Sequence, residues 1–182
     1  LSIRRQRQMC IRDSAKEAEA AVLAAIDYQG PVYIRLGRAE TKDIHDDSYH
    51  FEWGKAEVLR QGSDVTIFAT GIMTAKALDA AETLAKQGIQ AEVINVHTIK
   101  PLDEETVIAS AKKTGKVVTA EEHSIIGGLG SAVAEVLARQ CPTKQAFVGV
   151  QDSFGESGSP NDLLEKYGLT AEVIVKAAVG LQ

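Results

Sequence analysis

The sequence has few cysteines, an excess of acidic over basic residues and no long apolar run, and each of these features excludes a class of protein. Its two cysteines, Cys10 and Cys141, are too few for a disulfide framework or a zinc site, which indicates a reducing compartment and a cytoplasmic protein. With 20 basic and 25 acidic residues, the net charge of −5 argues against a nucleic-acid-binding surface. No apolar run approaches the ~18–20 residues of a membrane span. The composition therefore predicts a protein that binds neither nucleic acid nor a membrane.

Common catalytic and nucleotide-binding motifs are also missing. The sequence contains no GxGxxG motif, no P-loop, no histidine or cysteine pair at metal-ligand spacing and no Ser/His/Asp arrangement for a nucleophile. We therefore assign no catalytic, cofactor-binding or metal-binding residue to this chain.

The first thirteen residues differ in composition from everything that follows. Residues 1–13 (LSIRRQRQMCIRD) carry a local charge of +3, which leaves −8 for the remainder. They show no helical or strand period and lack the apolar centre of a signal peptide. The segment resembles translated read-through of a sequencing adapter, with a basic tail or an unusual linker as alternatives. We expect it to be non-native or disordered and to lie outside the fold.

A helix and a strand are predicted next, over residues 14–38. Ser14 and Glu17 have the spacing of a capping box, in which two helix N–H donors are satisfied reciprocally. Gly30 ends the helix, and residues 32–36 read as a strand. Because one helix and one strand cannot bury their faces alone, we interpret this segment as the last unit of a larger domain.

The remainder comprises a polar linker and a regular α/β pattern. Residues 39–54 have linker composition, with Phe51 and Trp53 expected to dock on a neighbour. From residue 55, strands alternate with helices of roughly a dozen residues, which predicts an α/β fold with a mostly parallel open sheet and helices on both faces. The predicted strands are 56–60, 65–69, 91–96, 116–120 and 146–150, and the helices are 74–86, 103–113, 130–140 and two short ones beginning near 159 and 170.

Polar residues and a glycine-rich bend follow the strand at 116–120. Glu121, Glu122 and His123 could perform acid–base catalysis, because a carboxylate beside a histidine can tune its pKa. They could equally form contacts at a subunit interface, or hold in place the residues that touch the ligand. We favour these two roles over catalysis. The bend at residues 127–130 (GGLG) precedes a helix whose N-terminus could bind an anion. We favour the interpretation that its glycines permit a tight turn and close helix–sheet packing.

Three further features qualify as candidate sites. His97 stands at a strand end, where we expect a hydrogen-bonded structural histidine. Arg35 and Arg38 lie in and just after the strand at 32–36; Arg38 emerges where open α/β sheets bind ligands, and its guanidinium suits phosphate, although composition alone favours a surface arginine. Residues 153–160 could form an anion-binding loop, but a cap for the following helix is the favoured interpretation.

Three runs in order make the sequence resemble the C-terminal half of a transketolase. They are residues 94–103 (INVHTIKPLD), residues 120–131 (AEEHSIIGGLGS), and residues 152–170, which contain DSFGESG and YGLT. More narrowly, residues 14–182 resemble the C-terminal subunit of bacterial and archaeal transketolases that are split into two chains. 1-Deoxyxylulose-5-phosphate synthase and the beta subunits of 2-oxo acid dehydrogenases share parts of the pattern, while FGESG and YGLT favour transketolase.

The resemblance implies an activity and a domain organisation. Transketolases use thiamine diphosphate and Mg²⁺ to transfer a two-carbon ketol unit between sugar phosphates, with active sites between subunits. Residues 14–38 would be the tail of the pyrimidine-binding domain, 39–54 a linker, and 55–182 the C-terminal domain. The family's GDG…N motif and its activating glutamate have no match in this sequence, so the chain alone is expected to bind no cofactor and to be inactive. The implied partner is an N-terminal transketolase subunit or domain, in a homodimer or heterotetramer.

The resemblance also implies a phosphate-binding residue. Transketolases end the pyrimidine-binding domain with a P-x-x-x-x-L-S-R strand, whose arginine helps to bind the substrate phosphate. Residues 31–38 (PVYIRLGR) match this pattern, with Gly37 in place of the serine, so Arg38 takes that role. The synthase has an arginine at the place of Arg35, which makes Arg35 the weaker candidate. Three alternatives remain open: a purely structural dimerisation module, a 2-oxo acid dehydrogenase beta subunit, and a 1-deoxyxylulose-5-phosphate synthase.

Overall fold

Strands and helices alternate along the chain in a computed structural model that describes residues 8–11, 14–37, 44–46 and 49–182. The strands are β1 (Gln8–Ile11), β2 (Val32–Arg35), β3 (Glu57–Arg60), β4 (Val65–Ala69), β5 (Ala91–Asn95), β6 (Thr98–Lys100), β7 (Lys116–Ser124) and β8 (Lys144–Val150). The helices are α1 (Ala15–Asp27), α2 (Met73–Lys86), α3 (Glu104–Thr114), α4 (Leu129–Gln140), α5 (Pro160–Lys166) and α6 (Ala171–Val179). In the described ranges, no helix has the length and apolar character needed to cross a bilayer.

The main sheet has five strands in the order β3-β5-β4-β7-β8. β4, β5, β7 and β8 run parallel, and β3 pairs antiparallel with β5. β4 and β7 lie next to each other in the middle of the sheet. The crossover from β4 leads to β5 on one side of this pair, and the crossover from β7 leads to β8 on the other side. The gap between the carboxyl ends of β4 and β7 is therefore the point where sheets of this class bind ligands.

Helices cover both faces of this sheet, as the alternating pattern predicts. Successive residues of a strand point to opposite faces, so Ile67 and Phe68 of β4 belong to two different core clusters. One cluster packs α2 and α6 against the sheet, and the other packs α3 and α4. Representative members are Ile67, Ala77, Leu84 and Ile174 on the first face, and Phe68, Val107, Leu129 and Val133 on the second. The predicted fold class is confirmed.

Aromatic side chains of the linker dock on α1. Phe51 packs against Ala21 in a small apolar cluster, and the Trp53 indole Nε1–H donates to the Ala24 carbonyl over 3.4 Å. The rings of Phe51 and Trp53 meet edge to face with centroids 4.8 Å apart, and the Tyr28 ring lies 5.7 Å from Trp53. Phe51 and Trp53 therefore dock the linker as the sequence predicts.

A second, three-stranded sheet differs from the sequence-based expectation. Its order is β2-β1-β6, with β1 parallel to β2 and antiparallel to β6. The prediction that residues 1–13 lie outside the fold therefore needs correction for Gln8–Ile11, which pair with β2 along their whole length and with β6 at Met9 and Cys10. Backbone N–H and C=O groups suffice for such pairing, so a segment without hydrophobic alternation can still form a strand. Residues 1–7 and 12–13 lie outside the described ranges, and the non-native origin of the segment stays a prediction.

β7 is longer than its apolar run suggests. The pattern predicts a strand at residues 116–120, whereas β7 continues to Ser124 and includes Glu121, Glu122 and His123. Its pairing with β8 shifts register between Ala120 and Ser124. The polar residues therefore occupy an irregular strand end.

Candidate functional site

A buried carboxylate occupies the N-terminus of α4. The Glu121 side chain has only 2% of its surface exposed. Its Oε2 accepts a hydrogen bond from the Leu129 N–H over 2.7 Å, and its Oε1 accepts one from the Gly130 N–H over 2.8 Å. The first N–H groups of a helix have no intrahelical acceptor, and the helix dipole favours negative charge beside them. Glu121 thus provides an anion at this helix end from within the protein.

The glycine-rich bend makes room for this carboxylate. A Cβ on Gly128 would overlap Glu121 Oε2 and would lie 2.8 Å from the carboxyl carbon. A Cβ on Gly130 would lie 2.5 Å from the Phe147 ring of β8. Gly127 instead supplies a backbone φ of +79°, which favours glycine. The bend therefore serves close packing and a tight turn, in agreement with the favoured interpretation.

The environment of Glu121 acts on its pKa in two directions. Burial raises the pKa of Glu121 above its ordinary value, because a low-dielectric surrounding disfavours the charged form. The hydrogen bonds from Gly130 and Leu129 lower that pKa in part, as do the nearby charges of His123 and Arg35. Since each oxygen already accepts a backbone hydrogen bond, Glu121 acts as an interior hydrogen-bond acceptor.

Arg35 meets the polar end of β7. Its Nη1–H donates to the Glu122 carbonyl oxygen over 3.1 Å, and its Nη2 lies 4.0 Å from Glu122 Oε2. Both side chains are partly exposed, so the charge pair itself contributes only about 0–1 kcal/mol. A guanidinium has five N–H donors, so the bond to the carbonyl still permits contact with a phosphate. The structure thus pairs Arg35 with Glu122 and brings it close enough to Glu121 to act on the pKa of that carboxyl.

The two candidate histidines have different surroundings. His123 is partly buried, and its Nδ1 donates to the Ser124 carbonyl oxygen over 2.8 Å, since a carbonyl can only accept. His97 is buried, with Nδ1 2.9 Å from the Thr98 hydroxyl and its ring 4.6 Å from that of Phe51. The surroundings of His97 agree with a structural histidine.

The loop at residues 153–160 caps the helix that follows it. Ser159 Oγ accepts a hydrogen bond from the Asp162 N–H over 3.3 Å at the start of α5. The Tyr167 hydroxyl donates to the Phe154 carbonyl oxygen over 2.9 Å, which fixes the loop, while the Phe154 side chain is 97% exposed. These contacts support the cap interpretation.

Glu17 and Asn95 have a role in the structure that no sequence pattern indicated. The capping interaction at α1 is present, because Ser14 Oγ accepts from the Glu17 N–H over 3.2 Å. The Glu17 carboxylate is in addition buried against Asn95, at the carboxyl end of β5. The only sequence signal for Asn95 was an amide near the end of the strand predicted at 91–96. Arg38, the main phosphate-binding candidate, lies outside the described residues.

The carboxyl edge of the main sheet does not fit a diphosphate with its metal ion. Within the described ranges, no group of three His, Cys, Asp or Glu side chains could hold a metal ion. A diphosphate at the α4 N-terminus would meet the carboxylate of Glu121, which already uses the Leu129 and Gly130 N–H donors. We therefore assign no reaction step through that group to this edge.

Comparison with known proteins identifies a matching domain family and several relatives of the chain. Residues 54–174 match the family model "Transketolase, C-terminal domain". The chain is 58% identical over 166 residues to the 6-deoxy-6-sulfo-D-fructose transketolase subunit SqwH of Clostridium sp. (strain MSTE9), covering 91% of this chain and 51% of that protein. It is 46% identical over 153 residues to a putative transketolase C-terminal section of Methanocaldococcus jannaschii, covering 82% of this chain and 48% of the relative. The chain thus spans about half the length of the curated relatives it matches.

A solved structure shows the same architecture. The structure of a split gene transketolase, an inactive beta4 tetramer, superposes with a TM-score of 0.93 at 51% sequence identity. The match covers 96% of this chain and 57% of that one.

Proposed function

Because this chain belongs to the transketolase C-terminal domain family, we propose that it is the C-terminal part of a thiamine diphosphate-dependent transketolase. The complete enzyme transfers a two-carbon ketol unit between sugar phosphates. The observation that carries the proposal is the superposition of 96% of the chain on a split gene transketolase at 51% identity. We place the protein in the cytoplasm, which its low cysteine content supports.

The proposed partner is an N-terminal transketolase subunit or domain that holds the thiamine diphosphate and Mg²⁺. Glu121 supports this division of roles, because its carboxylate occupies the helix N-terminus that a diphosphate would otherwise use. The proposed assembly is a homodimer or heterotetramer. A tetramer of beta chains that is inactive in a similar protein supports the view that this chain alone has no activity.

The proposed contribution of this chain to the site is the binding of the substrate phosphate. Arg38 is the main candidate because it takes the place of the arginine in the family's P-x-x-x-x-L-S-R pattern, and Arg35, at the carboxyl end of β2, is the second one. The position of Arg35 beside Glu122, where β2 meets the main sheet, supports the idea. The proposed organisation is a pyrimidine-domain tail at 14–38, a linker at 39–54 and the C-terminal domain at 55–182.

Reconstitution tests the proposed function. We expect ketol transfer when the purified chain is mixed with a transketolase N-terminal subunit, thiamine diphosphate and Mg²⁺, and none with either protein alone. Titration calorimetry should show no tight binding of thiamine diphosphate to this chain by itself. Transfer by the chain alone, or sub-micromolar cofactor binding, would contradict the proposal. A mixture that forms a complex without activity would favour a structural module.

His123 is expected to act in assembly rather than in proton transfer. In the reconstituted enzyme, His123→Ala should change kcat less than about tenfold, since cofactors of this kind carry the chemistry themselves. It should lower the melting temperature or weaken the complex, because the Nδ1 hydrogen bond to the Ser124 carbonyl is lost. His50→Ala, in the linker, is the exposed control. A kcat loss beyond ~10³-fold in an intact complex would indicate direct proton transfer, which typically contributes ~10²–10⁴-fold.

A further inference from the structure

A fully buried carboxylate joins the N-terminal helix to the C-terminal domain. Glu17 of α1 has no exposed surface. Its Oε1 accepts hydrogen bonds from Asn95 Nδ2 over 2.8 Å and from the Tyr49 hydroxyl over 3.1 Å, and His45 Nε2 lies 4.0 Å away. A buried charge is tolerated only where such partners replace water, so these contacts fix where α1 sits.

The contacts of Glu17 continue into the core of the C-terminal domain. Asn95 ends β5, and its Oδ1 accepts from the Thr74 hydroxyl at the first turn of α2 over 3.4 Å. One polar network therefore includes α1, the linker through Tyr49, and both β5 and α2. Hydrogen bonds inside a protein are directional and strengthened by the low dielectric, whereas the neighbouring contacts of Phe51 are apolar and less specific.

A second contact holds the other end of the same unit. α1 leads within four residues into β2, whose Arg35 donates to the Glu122 carbonyl of β7. Because β5 and β7 flank β4 in the main sheet, the two contacts lie on opposite sides of the carboxyl end of β4. The αβ unit formed by α1 and β2 is thus held across the carboxyl edge of the sheet at two points.

We propose that Glu17 is a positioning residue. Through Asn95 it fixes the αβ unit on the sheet edge and so places the carboxyl end of β2 where its arginines meet the substrate. The role of those arginines rests on the proposed function, whereas the positioning of α1 and β2 is measurable on the chain itself.

Glu17 and Asn95 meet in a hydrogen bond of 2.8 Å between a carboxylate and an amide. Variants that swap these two groups between the two positions test the proposal. Asn95→Asp places two carboxylates against each other, which should release α1. Glu17→Gln alone keeps an oxygen that can accept from Asn95 and should have little effect. The double variant restores a hydrogen bond, because the new amide can donate to the new carboxylate. Glu19→Gln, on the exposed side of α1, is the matched control.

The first measurement needs no activity. Trp53 is the only tryptophan of the sequence and donates to the Ala24 carbonyl of α1, so its emission reports whether α1 is docked. With Asn95→Asp we expect a red shift of the emission and about tenfold faster amide exchange over residues 15–37, in line with local unfolding. The double variant should return close to the parent. Unchanged exchange in Asn95→Asp, or no recovery in the double variant, overturns the proposal.

Glu17→Ala keeps the test decisive if Asn95→Asp does not fold. It leaves the main sheet untouched and should release α1 to a similar extent. If α1 exchange and Trp53 emission stay unchanged in Glu17→Ala, the proposal fails.

The second measurement uses the reconstituted enzyme. Asn95→Asp should raise KM for phosphorylated substrates about tenfold, with kcat changed less than about threefold, because displacement of a binding group by ~1 Å weakens binding strongly. A general loss of folded enzyme would lower the apparent kcat and leave KM unchanged, which would overturn the positioning role. Failure of the proposed function would appear differently, as no change in KM when Arg38 itself is replaced.

Discussion

Gly128→Ala is expected to destabilise the C-terminal domain by about 3–5 kcal/mol, the range for breaking a buried charge contact. The new Cβ would overlap Glu121 Oε2, and the carboxylate cannot retreat while the Leu129 and Gly130 N–H groups hold its two oxygens. Gly128 has a φ of −100°, so alanine meets no backbone strain there. The loss would therefore report the displaced carboxylate.

Chemical denaturation measures this loss, and two further variants interpret it. Gly155→Ala should stay within about 0.5 kcal/mol, because no atom lies within 4 Å of its added Cβ. In a double-mutant cycle, Glu121→Ala removes the group with which the Cβ collides, so Gly128→Ala should cost much less in that background. A loss below about 1 kcal/mol for Gly128→Ala alone would show that the bend adjusts freely.

The second large effect is expected at Arg38. In the reconstituted enzyme, Arg38→Ala should weaken phosphorylated substrates by about 2–3 kcal/mol, the scale of hydrogen bonds to a charged group. A phosphate remote from the breaking carbon–carbon bond is held alike in the ground and transition states, so the change should appear mostly in KM. Substrates without a phosphate should bind almost as before.

Related variants distinguish a loss of phosphate binding from a loss of protein structure. Arg38→Lys should recover only part of the affinity, because an ammonium cannot form the two parallel hydrogen bonds of a guanidinium. Arg35→Ala should have a smaller effect on KM, since one N–H of Arg35 already donates to the Glu122 carbonyl. Equal losses for phosphorylated and unphosphorylated substrates would show that Arg38 is structural.

The main sheet could be predicted because its signals are local. The run at Val65–Ala69 is buried along its whole length, and its period of two assigns Ile67 and Phe68 to opposite cores. β1 and β6 could not be predicted, since they have four and three residues and are defined by pairing with strands far away in the sequence. Pairing of that kind depends on tertiary neighbours rather than on side-chain pattern.

The candidate site was predictable in position but not in detail. The sequence places Glu121, Glu122 and His123 at the end of a strand, and the structure pairs Arg35 with Glu122, the middle residue of the three. The direction of the Glu121 side chain follows from the period of two along β7, which places residue 121 on the face covered by α4. Its hydrogen bonds to the Leu129 and Gly130 N–H groups depend on where α4 begins in space, which no local pattern reveals. The burial of Glu17 likewise depends on contacts with the linker and with β5, far away in sequence.

The internal anion at α4 also bears on inhibitor discovery. A phosphate-mimicking fragment that binds at the α4 N-terminus, on the carboxyl edge of this domain, would have to displace the Glu121 carboxylate from two hydrogen bonds. At about 1.5–3 kcal/mol for each charge-assisted bond, that competition lowers affinity by roughly two to four orders of magnitude. Compound screens against this protein are better directed to the seam where β2 meets β7, because Arg35 keeps donors there for an anionic compound.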